Sequence, residues 1–382
     1  MSVTAAKGFE AAGVAAGLKS SGGLDLALVV NRGPLSAAAA VFTSNRAKAN
    51  PIIWSQQVIA DGEVSAIVLN SGGANCFTGP QGFQVTHSTA EAVAEALGVS
   101  AGDVLVCSTG LIGDQLPLDK VLAGVASAAA ALGDRGEDAS LAIMTTDSKP
   151  KRSVREGTGY TVGGMAKGAG MLAPGLATML VVITTDADLP SAVLDSALRA
   201  ATRVSFDRLD SDGCMSTNDQ VSLLASGASG VVPSVDEFTA VLTAVCLDLA
   251  EQLQGDAEGA SHDIRIEVTG AASEDDAVEV GRSVARNNLF KAAVFGNDPN
   301  WGRVLAAIGT TSAEFDPYDV DVSMNGVRVC HAGAPDRPRS DVDLSPRRVD
   351  VHIALNVGQA AATILTNDLT HDYVHENSAY SS

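Results

Sequence analysis

Apolar residues recur along the chain in short continuous runs, and polar or Gly-rich stretches separate these runs. A run of this kind, bounded by turn residues, is typical of a strand that is buried on both faces. The clearest runs span residues 24–30, 65–70 and 103–109. Residues 263–270 instead alternate charged and apolar positions, which predicts a half-exposed strand. Residues 319–333 predict a hairpin, because an Asn-Gly pair divides them into two halves.

Longer segments carry apolar residues at intervals of three and four, which is the periodicity of a helix with one buried face. These segments span residues 86–98, 118–133, 189–204 and 236–254. Ser234 is placed to cap the N-terminus of the last helix, and Gly255 to end it. Strand and helix patterns alternate along the whole chain, which indicates an α/β or α+β fold. We expect mixed β-sheets with helices on their outer faces.

One part of the chain departs from both patterns. Residues 146–164 are basic and contain Gly and Pro, and we expect a long loop that is functional or disordered. Small residues then crowd the segment before Thr178, and an apolar run that predicts a buried strand begins at Met179. The sequence therefore places a hydroxyl at the junction of a small-residue bend and a rigid strand.

Thr178 can act as a nucleophile if the chain cuts itself at this junction. A threonine hydroxyl reacts poorly until a base takes its proton. An N-terminal threonine carries its own base, since a free α-amine has a pKa of roughly 7.7–8.0. We predict that the Thr178 hydroxyl attacks the carbonyl of Ala177 and that the freed Thr178 is the catalytic nucleophile. Taken alone, the same residues also fit an ordinary loop that enters a strand.

A second candidate lies where the strand predicted at residues 103–109 ends. Thr109 and Gly110 can direct a hydroxyl and a backbone N–H toward one point, which is the composition of an oxyanion hole. An ordinary strand-to-helix turn explains the pair equally well. Residues 71–79 form a similar Gly-rich strand end. Lys167 lies among small neighbours, which makes a chance surface lysine less plausible.

Composition narrows the class of protein. A chain of 382 residues suggests two domains or one large α/β unit. Its net charge of −20 argues against a nucleic-acid partner and an anionic membrane surface. The N-terminus has no secretory pattern, and no apolar run approaches the roughly 18 residues of a membrane helix, so we predict a cytoplasmic protein. The five cysteines and six histidines lack metal-ligand spacing, and no metal is expected.

Seven sequence blocks, in this order, resemble those of the ornithine acetyltransferases, the glutamate N-acetyltransferases of cyclic arginine biosynthesis. The blocks are STGLIG (108–113), MTTD (144–147), KGAGMLAPGLATML (167–180), DGCMSTNDQV (212–221), GDAEGA (255–260), GNDPNWGR (296–303) and HENSAYSS (375–382). The resemblance runs from GFEAAGVAAGLK (8–19) to the last residue. We expect the block at 212–221 to lie away from the substrate contacts.

The resemblance implies an N-terminal-nucleophile-like fold of the DmpA and ornithine acetyltransferase type. It implies a cut between Ala177 and Thr178 that yields an α chain, residues 1–177, and a β chain, residues 178–382. The two chains would pair again into an (αβ)₂ heterotetramer. Thr178 would take the acetyl group of N2-acetylornithine and pass it to L-glutamate in a ping-pong reaction that needs no cofactor. Some family members also accept acetyl-CoA, and the sequence leaves that branch open.

The resemblance also assigns site residues. The oxyanion hole falls on Thr109 and Gly110, and the substrate contacts fall on Thr145, Thr146, Lys167, Thr178, Glu258, Asn377 and Ser382. Lys167 would pair with the α-carboxylate that both substrates share. Glu258 would take the distal ammonium of ornithine, and Asn377 and Ser382 would donate to the distal carboxylate of glutamate. Two alternatives stay open: an N-terminal-nucleophile amidase or aminopeptidase, and a non-catalytic amino-acid-binding relative.

Overall fold

The structure is a computed structural model that describes residues 2–173 and 179–379. Strands and helices alternate through these residues. The strands are β1 (Phe9–Val14), β2 (Leu26–Asn31), β3 (Ala37–Phe42), β4 (Ala66–Ser71), β5 (Val104–Thr109), β6 (Lys151–Glu156), β7 (Thr161–Lys167), β8 (Leu180–Thr185), β9 (Gln220–Ala225), β10 (Asp263–Ala271), β11 (Asp321–Met324), β12 (Val327–His331), β13 (Ala334–Pro335), β14 (Arg348–Ala354) and β15 (Ala360–Asn367). The helices are α1 (Asn50–Val58), α2 (Gly79–Leu97), α3 (Leu118–Ala130), α4 (Gly136–Ala142), α5 (Ser191–Val204), α6 (Val235–Gln254), α7 (Glu274–Ala285), α8 (Asn288–Phe295), α9 (Trp301–Ile308) and α10 (His371–Ala379).

Two sheets stack face to face in the first part of the chain. One has the strand order β1-β2-β4-β5, and the other has the order β3-β9-β8-β7-β6. A shared core lies between them, with Val29 and Leu69 from the first sheet against Val182 and Leu224 from the second. Helices α2 and α3 cover the outer face of the first sheet, and α5 and α6 cover that of the second. This four-layer packing confirms the prediction of mixed sheets flanked by helices.

The six-stranded sheet forms a separate layer with its own core. Its order is β13-β12-β11-β14-β10-β15, and helices α7, α8 and α9 pack on it. The predicted half-exposed strand is β10, and the predicted hairpin joins β11 to β12 through Asn325 and Gly326, both at positive φ. The side-chain amide of Gln254, the last residue of α6, donates to the carbonyls of Ile264 and Thr366. This pair of hydrogen bonds ties the end of α6 to β10 and β15.

The sequence predicted the long central helix well. Ser234 caps α6, because its hydroxyl accepts a hydrogen bond from the Glu237 N–H at 3.2 Å, and Gly255 lies at the other end. Helix α2 begins at Gly79, seven residues before the periodic segment, because Pro80 in its first turn starts a helix readily.

The expectation of a long loop at residues 146–164 is wrong. Strands β6 and β7 occupy most of this segment and pair antiparallel at the edge of the second sheet. The inward positions of β6 include Lys151 and Ser153, so its buried face looks polar in sequence. The Lys151 ammonium is buried because the carboxylates of Asp147 and Asp256 each lie 2.5 Å from it.

The predicted cut lies between two neighbouring strands of one sheet, in the connection from β7 to β8. Strands β7 and β8 pair antiparallel on either side of the cut, with Lys167 opposite Leu180. Strand β9, which follows the cut, pairs with β3, which precedes it. The second sheet therefore combines strands from both predicted chains. Ala177 and Thr178 themselves lie outside the described residues, and the division into 1–177 and 178–382 stays a prediction.

Candidate functional site

A cavity of about 500 Å³ opens where β5 and β7 end. Seven of the predicted site residues line it: Thr109, Gly110, Thr145, Thr146, Lys167, Glu258 and Asn377. They come from separate parts of the chain, namely the ends of β5 and β7, the segment before β6, the loop after α6, and α10. Ser382, like Ala177 and Thr178, lies outside the described residues.

The turn after β5 has a conformation that only glycine accommodates. Gly110 has a φ of +129°, and a Cβ atom there would lie 2.5 Å from the Gly73 nitrogen and 2.8 Å from the Gly72 carbonyl carbon. The Gly73 N–H donates to the Thr109 carbonyl at 2.9 Å. The Gly-rich strand end at residues 71–79 therefore packs directly against Thr109 and Gly110, which explains why both turns are rich in glycine.

Lys167 lies against the Thr109 hydroxyl. Its Nζ donates to Thr109 Oγ1 at 3.3 Å, and the side chain is buried, with 1% of the residue exposed. Burial lowers the pKa of Lys167, while the carboxylate of Asp147 acts in the opposite direction. Because the Thr109 oxygen accepts from Lys167, the Thr109 hydroxyl hydrogen remains available to donate into the cavity.

Asp147 connects several parts of the site. Its Oδ2 accepts from the Thr145 N–H at 2.9 Å, and its Oδ1 accepts from the Gly168 N–H at 2.7 Å and from Lys151. Burial alone raises the pKa of this carboxyl, but the charges of Lys167 and Lys151 and the Gly168 N–H outweigh it and hold the pKa at about 2. Asp147 is therefore an anion that fixes Thr145 and the end of β7 relative to each other.

Glu258 and Asn377 form the acidic side of the cavity. The Asn377 amide donates to Glu258 Oε2 at 3.0 Å, which joins α10 to the loop after α6. The Glu258 N–H donates to the Ala169 carbonyl at 3.0 Å. A Cβ atom on Gly170 would lie 2.4 Å from Glu258 Oε2, so the carboxylate packs directly on the glycine backbone. The segment that leads from β7 toward the predicted cut thus supports Glu258.

The expectation that residues 212–221 lie away from the substrate contacts is wrong. The Asp212 carboxylate accepts from the N–H of Met171 at 2.7 Å, and Met171 lines the cavity with a φ of +53°. Met215 of the same block forms an isolated antiparallel bridge with Leu172. This block therefore holds the backbone that precedes the predicted cut, and Asp212 fixes a residue in a conformation that costs free energy.

Asp219 is a second residue that the sequence did not single out. It is 1% exposed, and its Oδ1 accepts from the Met179 N–H at 3.0 Å. Its Oδ2 has no hydrogen-bond partner among the residues that the structure describes. Burial raises the pKa of Asp219 well above its ordinary value, although the Met179 N–H and the Lys167 charge act against the shift. The available signal was an acid directly before a strand that is buried along its whole length.

No group of three or more His, Cys, Asp or Glu side chains is placed to hold a metal ion in residues 2–173 and 179–379. In the same residues, every helix is too short or too polar to cross a membrane.

Comparison with known proteins identifies the family of this chain. Residues 10–382 match the ArgJ family. The chain is 64% identical to the arginine biosynthesis bifunctional protein ArgJ of Streptomyces coelicolor and 61% identical to that of Thermobifida fusca, and each alignment covers 100% of both chains. Among solved structures, it is 55% identical to the ornithine acetyltransferase of Mycobacterium tuberculosis complexed with ornithine, over 47% of this chain and 96% of that one, with a TM-score of 0.44. At these identities over the full length, the chain belongs to the ArgJ family, an acetyltransferase family of arginine biosynthesis.

Proposed function

We propose that this protein transfers an acetyl group from N2-acetylornithine to L-glutamate through an acetyl ester on Thr178. The observation that carries the proposal is the cavity, which brings Thr109, Lys167 and Glu258 together, with Lys167 paired opposite Leu180, two residues after Thr178. A hydroxyl donor, a buried cation and a carboxylate are the groups that an acyl transfer between two amino acids requires.

Maturation comes first. The Thr178 hydroxyl attacks the carbonyl of Ala177, and hydrolysis of the resulting ester leaves an α chain of residues 1–177 and a β chain of residues 178–382. The pairing of β7 with β8 and of β3 with β9 keeps the two chains in one sheet after the cut. We further propose that two such αβ units form a heterotetramer, as the sequence resemblance implies.

The transfer then proceeds in two half-reactions. In the first, the α-amine of Thr178 takes the proton of its own hydroxyl, and the hydroxyl oxygen attacks the acetyl carbonyl of N2-acetylornithine. The Thr109 hydroxyl and the Gly110 N–H donate to the oxyanion that forms. The tetrahedral intermediate expels the ornithine nitrogen, which takes the proton. In the second, the glutamate amine attacks the acetyl ester, and Thr178 is released as the free hydroxyl.

The distal ends of the two substrates differ in charge. The Glu258 carboxylate is suited to the distal ammonium of ornithine, and its hydrogen bond from Asn377 fixes its orientation. The amide of Asn377 and the hydroxyl of Ser382 are candidates for the distal carboxylate of glutamate. Thr145 and Thr146 also line the cavity. The relatives from S. coelicolor and T. fusca are named bifunctional, which favours acetyl-CoA as a second acetyl donor for the same ester.

Intact mass under denaturing conditions, followed by single half-reactions, tests the proposal. The purified protein should separate into two chains with a boundary between Ala177 and Thr178. With N2-acetylornithine alone, the β chain should gain the mass of one acetyl group and release one equivalent of ornithine. Glutamate should then remove that mass and yield N-acetylglutamate.

Two results would favour the alternatives. Acetate release at a rate that glutamate does not change would identify an amidase, in which water accepts the acyl group. An uncut chain that binds N2-acetylornithine without releasing ornithine would identify a non-catalytic relative.

A further inference from the structure

Lys19 is a second cation on the wall of the cavity, and the reaction described above gives it no part. It lies in the loop between β1 and β2, together with Leu18, Ser20 and Ser21, which also line the cavity. The side chain is half-buried.

A buried carboxylate holds this loop in place. Asp25 is 0% exposed and accepts three backbone hydrogen bonds, from Ala16 and Leu18 at 2.6 Å and from Lys19 at 3.0 Å. Its own carbonyl accepts from the Ser71 N–H at 2.9 Å. A carboxylate with three backbone donors is strongly stabilised and fixes the backbone that it binds. The position of Lys19 is therefore set by the fold before any ligand enters.

The same loop lies against the turn that carries the oxyanion hole. A Cβ atom on Gly72 would lie 2.9 Å from the carbonyl carbon of Leu18 and 3.2 Å from the Lys19 nitrogen. On the far side, a Cβ atom on Gly110 would lie 2.8 Å from the Gly72 carbonyl carbon. The backbones of Lys19, Gly72 and Gly110 are thus in successive contact, which places Lys19 beside the proposed oxyanion hole.

The Lys19 ammonium has N–H groups that can still donate to a ligand. Its Nζ donates to the Leu24 carbonyl at 2.9 Å, and an ammonium has three N–H groups. No carboxylate in the described residues lies within 4 Å of this Nζ. Burial lowers the pKa of Lys19, and the more distant charges of Asp25 and Asp147 only oppose that shift. A ligand carboxylate would give the Lys19 ammonium a directly bonded counter-charge.

Lys167 is engaged differently. It is almost completely buried against Thr109, and its charge faces Asp147. In both substrates the α-carboxylate is attached to the carbon that bears the reacting nitrogen, so it must lie a few bonds from the acetyl carbonyl. The cation that meets it has to stand beside the oxyanion hole and reach the open cavity. Both lysines line the cavity, but the Lys167 ammonium contacts the Thr109 hydroxyl and faces Asp147, whereas the Lys19 ammonium donates to the Leu24 carbonyl and keeps two N–H groups for a ligand.

We propose that Lys19 binds the α-carboxylate of N2-acetylornithine and of glutamate, while Lys167 donates a hydrogen bond to the Thr109 hydroxyl oxygen. This assignment rests on the proposed function. It makes Lys19 the residue that selects α-amino acids over the corresponding amines.

The test compares N2-acetylornithine with N-acetylputrescine, which is the same molecule without its carboxylate, in the first half-reaction. For the wild-type protein, ornithine should be released with a kcat/KM well above that for putrescine. Lys19→Met should lower kcat/KM for N2-acetylornithine by about 10–100-fold, mainly through KM, because a charge-assisted hydrogen bond is lost. It should leave N-acetylputrescine unchanged, so the preference for the carboxylate disappears. Lys19→Arg, which keeps the positive charge, should retain much of the preference for N2-acetylornithine over N-acetylputrescine.

Lys120→Met is the matched control. Lys120 donates to the Gly17 carbonyl at 2.9 Å from outside the cavity, so it touches the same loop without lining the site. Its substitution should leave both substrates unaffected. All comparisons use chains shown by intact mass to be fully cut, and Lys19→Gln, which keeps a donor for Leu24, serves if the Met variant does not mature.

Two outcomes would overturn the assignment. One is a parallel fall for both substrates in Lys19→Met, which would make Lys19 a structural residue. The other is an unchanged kcat/KM for N2-acetylornithine. A wild-type protein that releases no ornithine from N2-acetylornithine would refute the proposed function itself, which is a different result from either of these.

Discussion

The buried carboxylate of Asp219 accepts a hydrogen bond from the backbone N–H of Met179 at 3.0 Å. Met179 follows the proposed nucleophile directly, so this bond fixes the peptide unit that joins Thr178 to β8. Asp219 directly precedes β9, which pairs parallel with β8. Its carboxylate therefore links these two adjacent strands at the end nearest the proposed nucleophile in sequence. We therefore expect Asp219 to act as a positioning residue for the predicted cut and for the proposed nucleophile.

Replacing Asp219 with Ala should slow self-cleavage by about 10–100-fold. The substitution leaves the Met179 N–H buried without an acceptor, which costs about 1–3 kcal/mol. Asp219→Asn keeps a carbonyl oxygen at that position and should mature faster than the Ala variant. Intact mass against time measures the cut fraction, with the exposed Asp114→Ala as control. Equal rates for wild type and Asp219→Ala would remove Asp219 from this role.

Replacing Thr178 with Ala should leave one uncut chain without transfer activity, because no hydroxyl remains to attack Ala177. Thr178→Ser keeps a hydroxyl and should still cut and transfer. For both variants, intact mass under denaturing conditions measures cleavage and an ornithine-release assay measures transfer. Two chains in the Ala variant would place the scissile bond elsewhere.

Replacing Thr109 with Ala should lower kcat by about 10²–10³-fold with a smaller change in KM, which is the usual effect of losing one oxyanion donor. The hydroxyl that Lys167 contacts at 3.3 Å is then absent. Thr109→Ser keeps the hydroxyl and should retain most of the rate. If the Ala variant keeps the wild-type kcat, Thr109 does not stabilise the oxyanion.

Replacing Glu258 with Gln should raise KM for N2-acetylornithine by about 10-fold or more, since an ion pair with the distal ammonium is lost. The KM for glutamate should not rise, because its distal group is an anion and the substitution removes a like charge. Steady-state kinetics with each substrate varied in turn separates the two effects, and the exposed Glu251→Gln serves as control. A rise that is the same for both substrates would contradict the assignment.

Asp147 should make the folded protein sensitive to acid. Its pKa is about 2 in the folded chain against an ordinary value of 3.8, so the folded state binds the proton less tightly than the unfolded state. The resulting stabilisation, about 2 kcal/mol, is present above pH ~4 and is lost as the pH falls through about 2. Asp147→Asn should lower the free energy of unfolding near neutral pH and reduce its change over this range.

Urea unfolding of the wild type and of Asp147→Asn at several pH values measures this difference. The exposed Asp119→Asn is the control. A gap between wild type and Asp147→Asn that is as large at low pH as near neutrality would show that the carboxylate charge is not what stabilises the fold.

The hydrophobic pattern alone determined most of the layered fold. The continuous apolar runs became β2, β4 and β5 because strands between a second sheet and a helix layer are buried on both faces, which leaves no polar positions in the sequence. Strand β6 was not predicted, because buried positions of this strand are polar in sequence. Its inward Lys151 is buried because two carboxylates pair with it, from Asp147, four residues earlier, and from Asp256, in a distant part of the chain.

The motifs determined which residues line the site, since their resemblance to a family was enough to assign Thr109, Lys167 and Glu258 to it. The tertiary structure decided what each of them touches. It placed Lys167 on the Thr109 hydroxyl, and it brought Asp212 and Asp219 onto the backbone around the predicted cut. No local pattern carries such contacts, because a buried carboxylate or ammonium is stable only where the fold supplies its hydrogen-bond partners, and those partners lie on strands and loops far apart in sequence.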